Sequence, residues 1–117
     1  MKFESKILGD KVTLELPREF SILKPVFRLQ VEEEIELTLY LTADGVACAK
    51  RGQKTPQGYY NLERILKPVL RRGTVMACRT CLEARGLTPD DLMEGVLETR
   101  LGDLAQLTLE ADKVLTF

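Results

Sequence analysis

The segment Ile35 to Leu41, Ile-Glu-Leu-Thr-Leu-Tyr-Leu, constrains the fold of this 117-residue chain more than any other. Its β-branched and aromatic residues in a mostly apolar run predict a strand covered on both faces. Such strands belong in parallel sheets flanked by helices, and the flanking sequence supplies the helices. Thr42-Ala43-Asp44-Gly45 predicts a turn into a short helix, Val46 to Lys50. Arg51 to Tyr60 is dense in turn formers and polar side chains and is expected to be a surface loop. A loop of that length is either mobile or functional.

Asn61 predicts the N-cap of a helix carrying Leu62, Ile65, Leu66, Val69 and Leu70 on one face, with Pro68 kinking it and Gly73 as its stop. Thr74 to Cys78 then predicts a short buried strand, followed by a brief helix from Arg79 to Arg85 that Gly86 ends. Thr88-Pro89-Asp90-Asp91 combines a capping hydroxyl, a proline and first-turn acids, and predicts a further helix ending at Gly95. Val96 to Glu98 reads as a very short strand, Thr99 as the cap of a helix from Arg100 to Ala111, and Lys113 to Phe117 as the last strand. Phe3 to Leu8 and Lys11 to Leu16 are either a hairpin around Gly9-Asp10 or contain the first parallel strand in only one of them. Arg18 to Glu34 looks helical, with Pro25 breaking or bending it near its middle. Strands alternating with helices over short connections imply an α/β fold, a mainly parallel sheet between helical layers.

With 44% hydrophobic residues the chain can bury one core and is expected to be a single domain, residues 1–117. Its 17 basic and 18 acidic residues are interspersed, which leaves no electrostatic footprint for nucleic acid. No apolar run reaches the length of a membrane span or a secretory leader, so a cytoplasmic location is expected. Three cysteines are an odd number, and reduced thiols are the expectation. The absence of histidine excludes Ser-His-Asp and Cys-His catalysis within one chain. Any chemistry must come from sulfur or carboxylates.

Cys78-Arg79-Thr80-Cys81 is the sharpest local signal. Its first cysteine is expected at the carboxyl end of a strand and its second one turn into the following helix. Ligands of open α/β sheets sit outside the carboxyl ends of strands, and helix amino termini favour anions. A thiolate or persulfide at Cys78 would gain from both, and from cationic Arg79 and Arg85, with a lowered thiol pKa as the consequence. The plainer alternative is a pair of buried structural cysteines. Zinc would need ligands from several subunits, because two thiolates fill half a tetrahedral site. Cys48, on an amphipathic segment, is expected in the core. Glu32-Glu33-Glu34 reads as a solvated helix end, and Asp90, Asp91 and Asp103 as capping or first-turn residues. Tyr59 and Tyr60 either anchor an interface or cover the sheet edge.

Several motifs in one order carry a family resemblance: Leu39-Tyr40-Leu41-Thr42-Ala43-Asp44-Gly45-Val46, Arg51-Gly52-Gln53-Lys54 with Gly58-Tyr59, and Cys78-Arg79-Thr80-Cys81 with Arg85-Gly86. Glu94-Gly95-Val96 and the closing Ala111 to Phe117 complete the set. Over these residues the chain resembles the YchN-like branch of the DsrE/DsrF-like superfamily. The resemblance implies a three-layer α/β/α sandwich with a five-stranded, mainly parallel sheet, assembled as a homo-oligomer, a trimer or hexamer. It also implies sulfur relay without a metal or organic cofactor. In the related TusD and DsrE subunits sulfur passes as a cysteine persulfide between donor and acceptor proteins, and the carrier cysteine corresponds by motif position to Cys78. On this reading the chain is a candidate sulfurtransferase in which Cys78 carries sulfur and Cys81 is a candidate resolving thiol, with Arg79, Thr80 and Arg85 as anion-stabilising residues. The competing expectations are a non-catalytic oligomeric binding or redox-sensing module and, third, a dithiol oxidoreductase. The last is disfavoured by the missing proline and aromatic context around Cys78.

Overall fold

The computed structural model describes residues 11–17, 21, 23–32 and 35–117. Five strands form one parallel sheet: β1 (Lys11–Leu16), β2 (Glu36–Leu41), β3 (Thr74–Cys78), β4 (Leu97–Thr99) and β5 (Lys113–Thr116), in the order β4-β3-β2-β1-β5. The first parallel strand is therefore Lys11 to Leu16; Phe3 to Leu8 and the hairpin alternative lie outside the described residues. Four α-helices connect the strands: α1 (Leu23–Glu32), α2 (Leu62–Arg72), α3 (Arg79–Ala84) and α4 (Leu101–Glu110). Right-handed crossovers step β1-β2-β3-β4 in one direction and so place α1, α2 and α3 on one face; α4 returns from one sheet edge to the other and takes the opposite face.

Alternation along the strands sorts the side chains accordingly. Leu14, Leu16, Leu37, Leu39, Leu41, Val75 and Ala77 are buried toward α1 and α2, which contribute Leu23, Val26, Leu66 and Val69. The other face carries Thr13, Glu15, Thr38, Tyr40, Met76 and Cys78, a polar and sulfur-bearing set.

Several elements differ from expectation for physical reasons. Pro25 stands third in α1 because the helix starts only at Leu23, and in the first turn its missing N–H is not needed. Asn61 caps α2 as expected, accepting from the Arg64 amide at 3.1 Å. Gly73 ends α2 as expected, in extended conformation, its amide donating to the Val69 carbonyl at 2.8 Å. Its lack of a side chain serves close packing, since a Cβ there would lie 2.6 Å from both Gln30 Nε2 and the Leu37 carbonyl oxygen.

The helix expected after Thr88 stops at one 3-10 turn, Pro89–Asp91, although Asp91 Oδ2 accepts from the Thr88 amide at 2.8 Å. Leu92 instead bridges Lys50, and the Met93 amide donates to the Ala49 carbonyl at 2.9 Å, burying both side chains. Burying such a side chain contributes about 1.5–3 kcal/mol, against tenths per residue for helix propensity, so the core wins. Thr99 likewise belongs to β4, paired with Cys78, and Arg100 caps α4 with its amide on Asp103 Oδ2 at 2.8 Å.

The turn after β2 is a 3-10 segment, Ala43–Ala49, that begins earlier than the helix expected from the sequence. It is seated on the end of β1: the Thr42 amide donates to the Leu16 carbonyl at 3.3 Å and the Gly45 amide to that of Pro17 at 3.1 Å. A Cβ on Gly45 would overlap the Leu16 carbonyl oxygen. Gly45→Ala must push the segment off β1 and should lower unfolding free energy by about 1–3 kcal/mol, as overpacking does. Chemical denaturation measures this, and an unchanged midpoint would show that the turn has room.

Candidate functional site around Cys78 and Cys81

The site forms where β2 and β3 end side by side. Leu41 pairs with Ala77, so the residues that follow each strand, Thr42 to Gly45 and Cys78 to Cys81, face one another across the carboxyl edge of the sheet. Cys78 is the last residue of β3 and caps α3; Cys81 is in the first turn of that helix.

Cys78 is 1% exposed, yet its sulfur lies 3.3 Å from Oγ1 of Thr80, an exposed residue, and is thus one side chain below the surface. Burial pushes its thiol pKa up, but the Thr80 hydroxyl, the Cys81 thiol and the amides of Cys81 and Thr80 favour the thiolate and bring it below the ordinary value. Cys81, only partly buried, is shifted the other way, by burial and by serving the Cys78 thiolate as hydrogen-bond donor. Its sulfur accepts the Ala43 amide at 3.2 Å. Ala43 has φ +48°, a left-handed conformation that costs a non-glycine residue about 1–2 kcal/mol. That cost directs one N–H at the cysteine pair.

The two arginines act at different points. Arg85 hydrogen-bonds the Cys81 carbonyl at 3.0 Å and clamps Asp44 at 2.7 Å, tying α3 to the 3-10 segment; its charge favours the thiolate form of Cys81. Arg79 Nε faces Glu83 at 3.1 Å and Glu98 at 3.2 Å. Thr80 is the polar side chain in contact with Cys78. Beside it, Arg79, Thr80, Glu83, Arg100 and Leu101 border a cavity of about 420 Å³. A cavity of about 670 Å³ lies away from the cysteines, between α1 and α2, where Tyr60 is stacked under Lys24. Tyr59 and Tyr60 are both well exposed.

Sequence reasoning missed Tyr40, Ala43 and Asp44 as members of the site. Tyr40 is fully buried, and its hydroxyl donates to the Arg100 carbonyl at 2.8 Å, joining β2 to the start of α4. Burial raises its pKa, the Thr99 hydroxyl partly offsets this, and the neighbouring Cys78 pushes in the same direction as burial. Its position in an apolar strand gave only a packing signal. Gln53 explains the Arg51-Gly52-Gln53-Lys54 motif: its side chain bonds the Cys48 and Lys50 carbonyls, and its amide donates to Glu63 at 2.8 Å, so this part of the loop is anchored. Cys48 is buried in the core, as expected, and burial pushes its pKa to about 11. Among the described residues no group of three or more Cys, Asp or Glu side chains is placed to hold a metal ion. None of their helices is long and apolar enough to cross a membrane.

The parallel five-stranded sheet between helices belongs to a known class. The chain is a member of the DsrE/DsrF-like family, whose sequence profile matches residues 18–117. It is 39% identical to the YchN protein of Escherichia coli K12 over 100 residues, 84% of this chain and 85% of that one. It is 35% identical over 101 residues to an uncharacterized protein of Methanopyrus kandleri, covering 86% and 82%. The crystal structure of E. coli YchN superposes with a TM-score of 0.82 at 33% identity, over 93% of this chain and all of that one. A protein of unknown function from Methanobacterium thermoautotrophicum shares the fold, with a TM-score of 0.76 at 17% identity over 93% of this chain and all of that one.

Cys78 lies one side chain below the surface and Cys48 in the core, so both access and thiolate fraction favour Cys78. Iodoacetamide at pH 7 should label Cys78 well ahead of Cys48, and the Cys78 pH–rate midpoint should lie below that of a free cysteine. Thr80→Val removes a donor that favours the thiolate and should move that midpoint up. Peptide mapping of the labelled protein decides: preferential labelling of Cys48, or a midpoint indifferent to Thr80→Val, would contradict the assignment.

Proposed function

We propose that the chain is a single DsrE/DsrF-like domain that carries sulfane sulfur on Cys78 and passes it between protein thiols. The observation that supports this best is the sulfur of Cys78 at the end of β3, 3.3 Å from the Thr80 hydroxyl, where the amides of Thr80 and Cys81 also favour its thiolate. In the loading step the Cys78 thiolate attacks the outer sulfur of a donor persulfide. A bond forms between Sγ and that sulfur, the donor S–S bond breaks, and the donor leaves as a thiolate. An acceptor thiolate then attacks the same outer sulfur and Cys78 leaves as the thiolate. The amides that favour a thiolate also favour it as leaving group, and neither step needs a metal or an organic cofactor. Reduced thiols suit a cytoplasmic setting with protein donors and acceptors, and no nucleic acid or membrane is required.

The 1% exposure of Cys78 favours a second reading, a non-catalytic oligomeric binding or redox-sensing module. Loading separates the two. Reduced protein incubated with glutathione persulfide should gain the mass of one sulfur atom, and Cys78→Ser, nearly isosteric, should abolish the gain with the fold intact. Intact mass spectrometry reads both. Full loading of Cys78→Ser, or none in the wild type, would refute the carrier role.

Assembly as a homo-oligomer, a trimer or hexamer, is part of the same reading. Its support is α4, a ten-residue helix on its own face of the sheet with no buried residue. Leu101 and Leu109 are 58% and 83% exposed, and Leu97 on the edge strand β4 is 49% exposed. Apolar exposure along one helix and a sheet edge fits a neighbouring subunit. Interfaces of this permanent kind bury about 2,000 Å² or more, so the oligomer should persist at low micromolar concentration. A purely monomeric sedimentation profile would overturn it.

A further inference from the structure

Resting on the carrier reading of Cys78, we propose that Cys81 discharges the Cys78 persulfide as hydrosulfide, closing a Cys78–Cys81 disulfide, when no acceptor thiol takes the sulfur first. The carrier reading needs only one cysteine, and the second is placed with care. Cys78 is the cap residue of α3 and Cys81 its third residue, and the Cys81 sulfur is held by the Ala43 amide at 3.2 Å. The strained backbone of Ala43 aims that N–H, and Asp44, the next residue, fixes the same turn to α3 through Arg85. A cap residue and the third residue of a helix have Cα atoms roughly 5 Å apart, inside the range that a disulfide spans. The pair therefore closes without large backbone movement.

The step balances without an external redox partner. The Cys81 sulfur attacks Sγ of Cys78; the Sγ–Sγ bond forms and the bond from Cys78 Sγ to the sulfane sulfur breaks. The sulfane sulfur leaves with the bonding pair and takes the Cys81 proton, departing as hydrosulfide. It is reduced, and the two cysteines are oxidised by two electrons to a disulfide. A dithiol reductant then restores the resting pair. Transfer to an acceptor differs in the atom attacked, the outer rather than the inner sulfur. An acceptor must reach a site whose carrier is 1% exposed, whereas Cys81 stands one helical turn away on the same element, so discharge is the outcome that waiting favours.

The test follows loaded protein after the donor has been removed. Wild type, Cys81→Ser and Cys81→Ala are loaded with glutathione persulfide, desalted and sampled by intact mass, with released hydrosulfide trapped by monobromobimane. Wild type should lose the sulfur at least about tenfold faster than either variant, the advantage of an attacking group held one helical turn away. It should end two hydrogen masses below the reduced protein, with Cys78 linked to Cys81 in the digest and one equivalent of hydrosulfide trapped. The variants should keep the sulfur. Should wild type hold its sulfur as long as the variants, with both thiols still free, the discharge role is wrong and the carrier reading stands. Should none of the three proteins take up sulfur, the carrier reading itself fails and discharge falls with it.

Discussion

The parallel register between β2 and β3 is the constraint on which the site depends. Thr38 pairs with Thr74 and Leu41 with Ala77, so both strands end at the same height and release their chains into one small space. Into it come the Ala43 amide and the Asp44 carboxylate from one side and Cys78, Thr80, Cys81 and Arg85 from the other. A slip of one residue would turn every side chain of β3 over. Ala77 would then leave the core, and Cys78 would enter it among leucines, as Cys48 does. The packing of Leu39, Leu41, Val75 and Ala77 against α1 and α2 therefore decides which way the sulfur points. The chemistry is set by apolar residues that never touch it.

The two faces of the sheet are covered unequally, and this places the cysteine pair at a boundary. Among the described residues three helices lie on one side and α4 on the other, joined to β2 through the Tyr40 hydroxyl on the Arg100 carbonyl. Tyr40, Met76 and Cys78 share this thinly covered face, and the cavity beside Thr80 opens toward the start of α4. If a neighbouring subunit covers Leu97, Leu101 and Leu109, as the oligomer reading holds, it would also approach the rim of that cavity. Assembly and access to the sulfur would then be set by the same surface.

Local patterns were legible where a short segment decides its own structure. The apolar run of β2, the strand Thr74 to Cys78, the Asn61 cap and the break after α3 all follow from residues within a turn or two. What failed depended on partners far along the chain. The capping signals at Thr88 are complete, but Leu92 is claimed by Lys50, 42 residues back, and Met93 by Ala49, 44 residues back. Gly73 ends α2 as its position in the sequence suggests, but its close packing against α1 and β2 depends on partners the local pattern does not show. The cysteine motif pointed to the site, but Tyr40, Ala43 and Asp44 join it only through parallel pairing. Nothing in the spacing from Asp44 to Arg85 announces an ion pair.

Positive charge near a CxxC motif invites the idea that arginine stabilises the thiolate, but the fixed charges here are already engaged. Arg79 faces Glu83 and Glu98, and Arg85 faces Asp44, so each cation arrives largely neutralised. What remains for Cys78 is a set of neutral donors at close range: a hydroxyl, a thiol and two amides. Cys48 is the contrast. It lies in the core, where burial outweighs a backbone hydrogen bond and pushes its pKa to about 11. On the carrier reading of Cys78, short-range donors have a further consequence. A nearby unpaired guanidinium would hold an anion on either sulfur of a persulfide almost equally, because Coulomb energy falls off slowly with distance. Hydrogen bonds weaken steeply with distance and angle, so they distinguish an anion on Sγ from one displaced outward by a sulfur atom. A pocket of neutral donors thus favours the empty thiolate over the loaded persulfide, the bias expected of a carrier that has to give its cargo away.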